Sequence, residues 1–150
     1  MTEGSQNDDI VIDYRALAEL RHQIRRFLTF SEQEARTAGL EPQQHQILLA
    51  VKGLPDGTRP TVSTLAERLC LRHHTVVGLV DRLTAAKLAV RRPSKTDRRE
   101  IFVELTPKGE SVLRGLCMLH QSELKSAAPT LLTALETIVR VDRQAARADD

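Results

Sequence analysis

Residues 61–105 run through a helix, a tight turn, a second helix and a charged hairpin in unbroken succession, and no other stretch of the chain restricts its fold as much. Leu65, Ala66 and Leu69 recur at helical spacing, Cys70-Leu71 makes the turn, and Val76, Leu79, Val80 and Leu83 recur at helical spacing again. Two short amphipathic helices with such stripes meet over one small core. After Ala89 the period changes to two, with Ile101, Val103 and Leu105 on one face and Phe102 and Glu104 on the other, as in a half-buried strand. Between the strands lies a basic tip, Arg91-Arg92-Pro93-Ser94-Lys95-Thr96-Asp97-Arg98-Arg99. That order of elements is the plan of a winged helix-turn-helix.

The flanks read as helices. Residues 1–12 are polar and acidic and are expected to fray. Asp13 is a natural N-cap, and Leu17, Leu20, Ile24, Phe27 and Leu28 keep helical spacing to about Ala38, with Gly39 as the stop. Pro42 opens the next helix, which His45, Leu48, Leu49 and Val51 carry to Gly53, and Pro55-Asp56-Gly57 turns the chain. Thr61 caps the first helix of the reading unit. Beyond the hairpin, Thr106 caps and Pro107 opens a helix through Val112, Leu113, Leu116, Leu119 and Leu124, and Ala127-Ala128-Pro129 is expected to break it. A last helix, about 130–146, carries Leu131, Leu135, Ile138 and Val139.

A first helix of roughly 25 residues, about 37 Å long, cannot bury its stripe against a small domain alone. It needs a partner, and a two-fold dimer supplies one. The expected architecture is therefore mainly α with a small β-hairpin wing. It is a single domain over 1–150, with a winged helix-turn-helix at about 42–105 and flanking dimerisation helices at about 13–38 and 107–146.

Charge is distributed unevenly. Between residues 59 and 108, eleven Lys or Arg face five acids, a local balance of +6 in a chain whose total is only +2. Positive charge thus coincides with the helix-turn-helix, the expected footprint of phosphate contact. With no Trp, one Tyr and three Phe, binding by rows of stacked aromatics is disfavoured. No apolar run approaches the roughly 20 residues needed to span a bilayer, and no secretory pattern opens the chain, so a cytoplasmic protein is expected.

The runs Leu65-Ala66-Glu67-Arg68-Leu69, Thr75-Val76, Leu79-Val80-Asp81-Arg82-Leu83, Asp97-Arg98-Arg99 and Leu105-Thr106-Pro107-Lys108-Gly109 resemble the multiple-antibiotic-resistance regulator (MarR) family, over about residues 13–143. The resemblance implies a homodimer joined through the first and last helices. It also implies a transcription regulator, most often a repressor, released by a small aromatic or phenolic effector or by oxidation.

The second helix of the motif is expected in the major groove, its first turn toward base edges. Arg72, His73, His74 and Thr75 are exposed there, Gly78 permits close approach to the DNA backbone, and Arg82 suits phosphate. An ordinary solvated helix start accounts for His73-His74 as well. By resemblance, Arg99 reaches into a narrow minor groove with Asp97 holding its guanidinium. Arg98 exchanges roles with it if the register is shifted by one, and Asp97 with Arg99 also suits a hairpin pin. Arg91, Arg92 and Lys95 are phosphate candidates. Arg72 stands where the family has a Ser cap, Gly78 where a polar residue is common, and Lys87 where a glycine follows the helix. A lysine at positive φ is strained, so another geometry is expected at that junction.

No catalytic motif, phosphate-cradling glycine loop or zinc-spaced Cys/His cluster occurs, so neither an enzyme, a cofactor nor a metal site is expected. Cys70 is read as a small hydrophobe filling the turn and Cys117 as a helix-face residue, with redox sensing as an alternative. His22, Arg25, Arg26 and His45 offer polar anchors for the effector that the resemblance implies, although a charged helix face explains them equally. The alternative from another class is a winged scaffold used to bind protein.

Overall fold

A computed structural model describes residues 11–145, with side chains described through residue 140. Of the frayed start expected for residues 1–12, residues 1–10 lie outside the described residues, as does the helix end expected at Ala146. Seven elements follow in order: α1 (Tyr14–Thr37), α2 (Pro42–Lys52), α3 (Val62–Leu69), α4 (His73–Ala85), β1 (Ala89–Pro93), β2 (Ile101–Leu105) and α5 (Pro107–Ala145).

Local chemistry sets the ends. Asp13 Oδ1 accepts from the Ala16 N–H at 2.9 Å and starts α1, and Gly39 at φ 82° stops it. Gln44 Oε1 accepts the Glu41 N–H at 2.8 Å across the first turn of α2. Thr61 Oγ1 accepts from the Thr64 N–H at 3.2 Å to cap α3. Helix α3 ends at Cys70 in the left-handed region, φ 53°. The thiol is exposed rather than filling the turn. Leu71 packs against the core instead, its N–H closing on the Ala66 carbonyl.

The junction after α4 also departs from expectation, because Lys87 keeps positive φ, 61°. A β-carbon there costs roughly 1–2 kcal/mol, and the surroundings over-determine the bend. The Lys87 and Leu88 N–H groups close on the carbonyls of Thr84 and Leu83. From the far side of the hairpin, Thr106 Oγ1 donates to the Lys87 carbonyl at 2.7 Å and the Thr106 N–H to that of Leu88 at 3.1 Å.

The two strands pair antiparallel from Ala89↔Leu105 to Pro93↔Ile101. Arg91, Arg92 and Pro93 thereby belong to β1, and the loop is confined to residues 94–100. Along the hairpin Ala89 and Val103 are buried, while Ile101 stays 49% exposed.

The expected break at Pro129 does not occur. Helix α5 continues from Pro107 to Ala145 with Pro129 inside it. A proline removes one N–H bond and crowds the carbonyl four residues back, at a cost of about 3 kcal/mol. The strong helix former Ala stands at 127 and 128, and the flanking helices are consequently one before the head and one after it.

The chain divides into two compact units, residues 1–29 with 122–150, and residues 30–121. The hydrophobic core lies in the second unit, where Ile47, Leu48, Leu65, Val76, Leu79, Val80 and Leu83 are fully buried. In the first, Ala16, Gln23 and Ala134 are buried, whereas Leu17, Ile24, Leu28, Leu124, Leu132, Leu135 and Val139 remain 39–57% exposed. A row of large aliphatic side chains at that exposure is an uncovered apolar surface of the kind that marks interaction sites.

Gly109 marks the tightest approach. A β-carbon there would stand 2.0 Å from the Leu88 carbonyl oxygen. Gly109→Ala is expected to lose about 2 kcal/mol or more in denaturant unfolding, and a loss below about 0.5 kcal/mol, typical of a neutral surface site, would show that the junction is free to move.

Candidate nucleic-acid interface

The first turn of α4 is uncapped. Arg72 occupies the N-cap with extended backbone, φ −72° and ψ 147°, and its side chain makes no capping bond. The first N–H groups of a helix lack intrahelical acceptors and suit anions. Arg72, His73 and His74 are exposed and Thr75 is half-buried, while Val76, Leu79, Val80 and Leu83 fasten the opposite face to the core. A β-carbon on Gly78 would meet only the Arg82 guanidinium, at 3.6 Å. The protein itself therefore does not require a glycine there, and the space it leaves faces outward.

The wing tip is built by its own side chains. Ser94 is buried, its N–H donates to the Glu100 carbonyl at 2.8 Å, and its Oγ accepts from the N–H groups of Thr96 and Asp97. Asp97 Oδ1 accepts from the backbone N–H of Arg99 at 3.0 Å. The expected bond from Asp97 to the Arg99 guanidinium is not the one formed: the carboxylate shapes the loop and leaves the guanidinium unpaired. Lys95, Arg98 and Arg99 are exposed, and among the described residues none of them, nor Arg72, makes an ion pair.

Other cations are already engaged. Arg82 grips Glu41 with two nitrogens, Nε to Oε1 at 3.1 Å and a terminal nitrogen to Oε2 at 3.1 Å. Arg91 of β1 meets Asp81 of α4 at 2.6 Å, Arg92 meets Glu104 across the hairpin at 2.7 Å, and Arg59 meets Glu100 at 2.6 Å. Sequence reasoning missed these four acids and Ser94. The Ser-x-x-Asp spacing at 94–97 is a turn signal that identifies the serine, but nothing in the sequence pairs residues 41 apart.

Helices α2 and α5 bring an unforeseen imidazole pair together. His45 stacks on His120 with ring centroids 4.9 Å apart, and Phe30 of α1 meets His120 edge-on at 5.8 Å. His45 is 4% exposed and its Nε2 is buried without a hydrogen-bond partner. Burial, and secondarily the His120 ring beside it, pushes its pKa down to about 4, so it is neutral at pH 7.

His22, Arg25 and Arg26 are exposed on α1 in the first unit, and His45 is buried in the second. They line no common described cavity. Arg26 borders a pocket of ≈ 100 Å³ with Gln23, Phe27 and Glu123. A larger open cavity of ≈ 420 Å³ in the second unit is bordered by Glu34, Thr37, Ser111, Val112, Leu116 and Leu119. Cys117 is half-buried against the core, and burial pushes its thiol pKa up, away from a reactive thiolate. No cluster of three or more metal-ligating side chains occurs among the described residues, and none of their helices is long and apolar enough to cross a membrane.

Residues 38–100 match the model of the MarR family. The chain is similar to the HTH-type transcriptional regulator MhqR of Bacillus subtilis, 28% identical over 86 residues, and the match spans 57% of each protein, little more than half the relative's length. Among solved structures it is similar to AbsC, a MarR family transcriptional regulator from Streptomyces coelicolor, with 23% identity, a TM-score of 0.65, and 92% of this chain and 97% of that one covered. It is also similar to a single-residue mutant of MepR from S. aureus bound to an oligodeoxyribonucleotide, with 17% identity, a TM-score of 0.61, and 93% and 99% covered. At these identities the solved structures establish the fold, a winged helix-turn-helix.

The loop geometry is open to measurement. Asp97→Ala is expected to speed hydrogen exchange at the Arg99 amide by about tenfold, the loss of one bond worth roughly 1.4 kcal/mol, while amides in α4 stay unchanged; an unaltered Arg99 amide would mean that the carboxylate does not hold the tip.

Proposed function

We propose that the chain is a regulator of the MarR family, whose model matches residues 38–100, and that it acts as a cytoplasmic homodimeric repressor that reads a palindromic operator in double-stranded DNA and is released by a small effector. The observation that carries the reading is the set of unpaired cations on two features of the second unit. Arg72 with His73, His74 and Thr75 stands at the open end of α4, and Lys95, Arg98 and Arg99 stand on a loop ordered by Ser94 and Asp97.

Each feature has a groove suited to it. The first turn of α4 presents hydrogen-bonding groups to major-groove base edges, where every base pair is distinguishable. The space at Gly78 lets the sugar-phosphate backbone come close to the helix. A guanidinium on a narrow wing enters a minor groove, whose negative potential rises as it narrows. Arg91, Arg92 and Arg82, held by Asp81, Glu104 and Glu41, position the reading elements first and contact phosphate second.

Dimerisation follows from the uncovered aliphatic rows of α1 and α5. Burying such rows stabilises association by about 25 cal/mol per Å² of apolar surface, and a two-fold pair matches a palindromic site. The ≈ 420 Å³ cavity, apolar at Val112, Leu116 and Leu119 and polar at Glu34, Thr37 and Ser111, is of the size that takes a small aromatic molecule. A head used only to bind protein would have no need of unpaired cations on both the start of α4 and the wing loop.

Fluorescence anisotropy on duplexes from the gene's own upstream region tests the reading. Four unpaired cations per head give on the order of eight phosphate contacts per dimer and a slope of about −7 in log affinity against log salt. Arg99→Ala should weaken specific binding by about 1–3 kcal/mol. Absence of preference for any upstream palindrome at low salt, or a single subunit in sedimentation, overturns the proposal.

A further inference from the structure

The fold reading leaves one buried group without a task. His45 sits on the first turns of α2, closed off from solvent, its Nε2 facing neither donor nor acceptor. A buried polar atom without a partner is rare and calls for an explanation. Its neighbour His120 is fully engaged: Nδ1 faces the Leu116 carbonyl, which only accepts and so fixes the hydrogen there, and Nε2 lies 2.7 Å from Ser31 Oγ. The neutral His45 ring fits this site as a flat apolar plate. An imidazolium does not fit, because it donates from both nitrogens and one of them has no acceptor.

We propose that the His45–His120 stack is a proton switch on the reading head: a proton taken from solvent by the His45 ring unseats the first turns of α2 and, through Glu41, loosens the hold on Arg82 of α4. The last step, weaker operator binding in acid, rests on the function proposed above. The coupling is short. Glu41 precedes His45 by one helical turn, and the His45 N–H closes on the Glu41 carbonyl. The Glu41 carboxylate in turn grips Arg82 through both oxygens.

Among the described residues no carboxylate bonds the buried His45 nitrogen, and none is a cause of its shift. From α5 the titratable group facing His45 is His120, a like charge when protonated, and it is the one ionisable group that contributes to lowering the His45 pKa. From α1 the cluster receives Phe30 and Ser31, which do not titrate in this range. On α2 itself Glu41 is committed to Arg82 and Lys52 to Glu110. The sign follows from linkage. With the folded value near 4 against an ordinary 6.5, the stabilisation is complete above about pH 6.5 and drains away as pH falls toward 4.

The test compares the full-length wild type with His45→Phe, which keeps a stacking ring and cannot titrate, and with His45→Gln should the phenylalanine fail to fold. Unfolding equilibria and operator affinity are measured at pH 7.5 and pH 5. Between those values the wild-type ratio of folded to unfolded protein should fall about thirtyfold more than that of the variant. The wild type should also lose several-fold more affinity for its upstream duplex. His73 and His74 remain in both proteins, so their own response to pH cancels in the comparison. Identical unfolding profiles overturn the switch whatever the DNA does. Separated unfolding profiles with parallel affinity losses overturn the coupling to Arg82. If the wild type binds no duplex even at pH 7.5, the regulator reading fails, and the unfolding profiles still decide the switch.

Discussion

The hydrogen bonds around the Leu88 peptide hold the reading head together. Three carbonyls in succession, at 86, 87 and 88, are met from the far end of the hairpin by Lys108, Thr106 Oγ1 and the Thr106 N–H. Helix α4, the wing and the start of α5 therefore leave one point in the chain with their directions set relative to one another. Each bond contributes on the order of 1 kcal/mol net, enough together to hold Lys87 in a conformation that its β-carbon disfavours by a similar amount. Gly109 is the complement of that arrangement, since only a residue without a side chain lets α5 pass so near the Leu88 oxygen.

Most of the architecture could be read in advance because it is written in local chemistry. Asp13, Thr61 and Thr106 cap the helices whose starts they mark, and the change of period after Ala89 becomes a strand. The misreadings differ in cause: helix-forming neighbours carry α5 through its proline, while a distant hydroxyl holds the turn after α4. Pro129 reads as a stop and stands inside α5. Lys87 reads as incompatible with a left-handed turn and adopts one because the Thr106 hydroxyl, nineteen residues on, donates to its carbonyl.

The candidate site was legible in its composition and less so in its wiring. The positions of Arg72, His73, His74 and Thr75 follow from helical spacing alone. What each arginine touches does not. Glu41 is an ordinary start-of-helix acid until α2 and α4 pack, and only then does it face Arg82. Asp97 was expected on a guanidinium or as a pin of the hairpin, and it bonds the Arg99 peptide N–H, two residues on in a tight loop. His45 reads as a polar anchor on the α2 stripe, and the packing of α2 on α5 makes it an interior plate.

One consequence of the occupied arginines concerns economy of design. Glu41, Asp81 and Glu104 each mask a cation without altering the outline of the head. General stickiness toward polyanions and recognition of a particular surface are thereby placed under separate controls: the acids set the first, the uncapped helix start and the ordered loop set the second. A lineage carrying this scaffold drifts from a fastidious binder toward a loose, scanning one by exchanging single carboxylates for amides, each exchange freeing one cation.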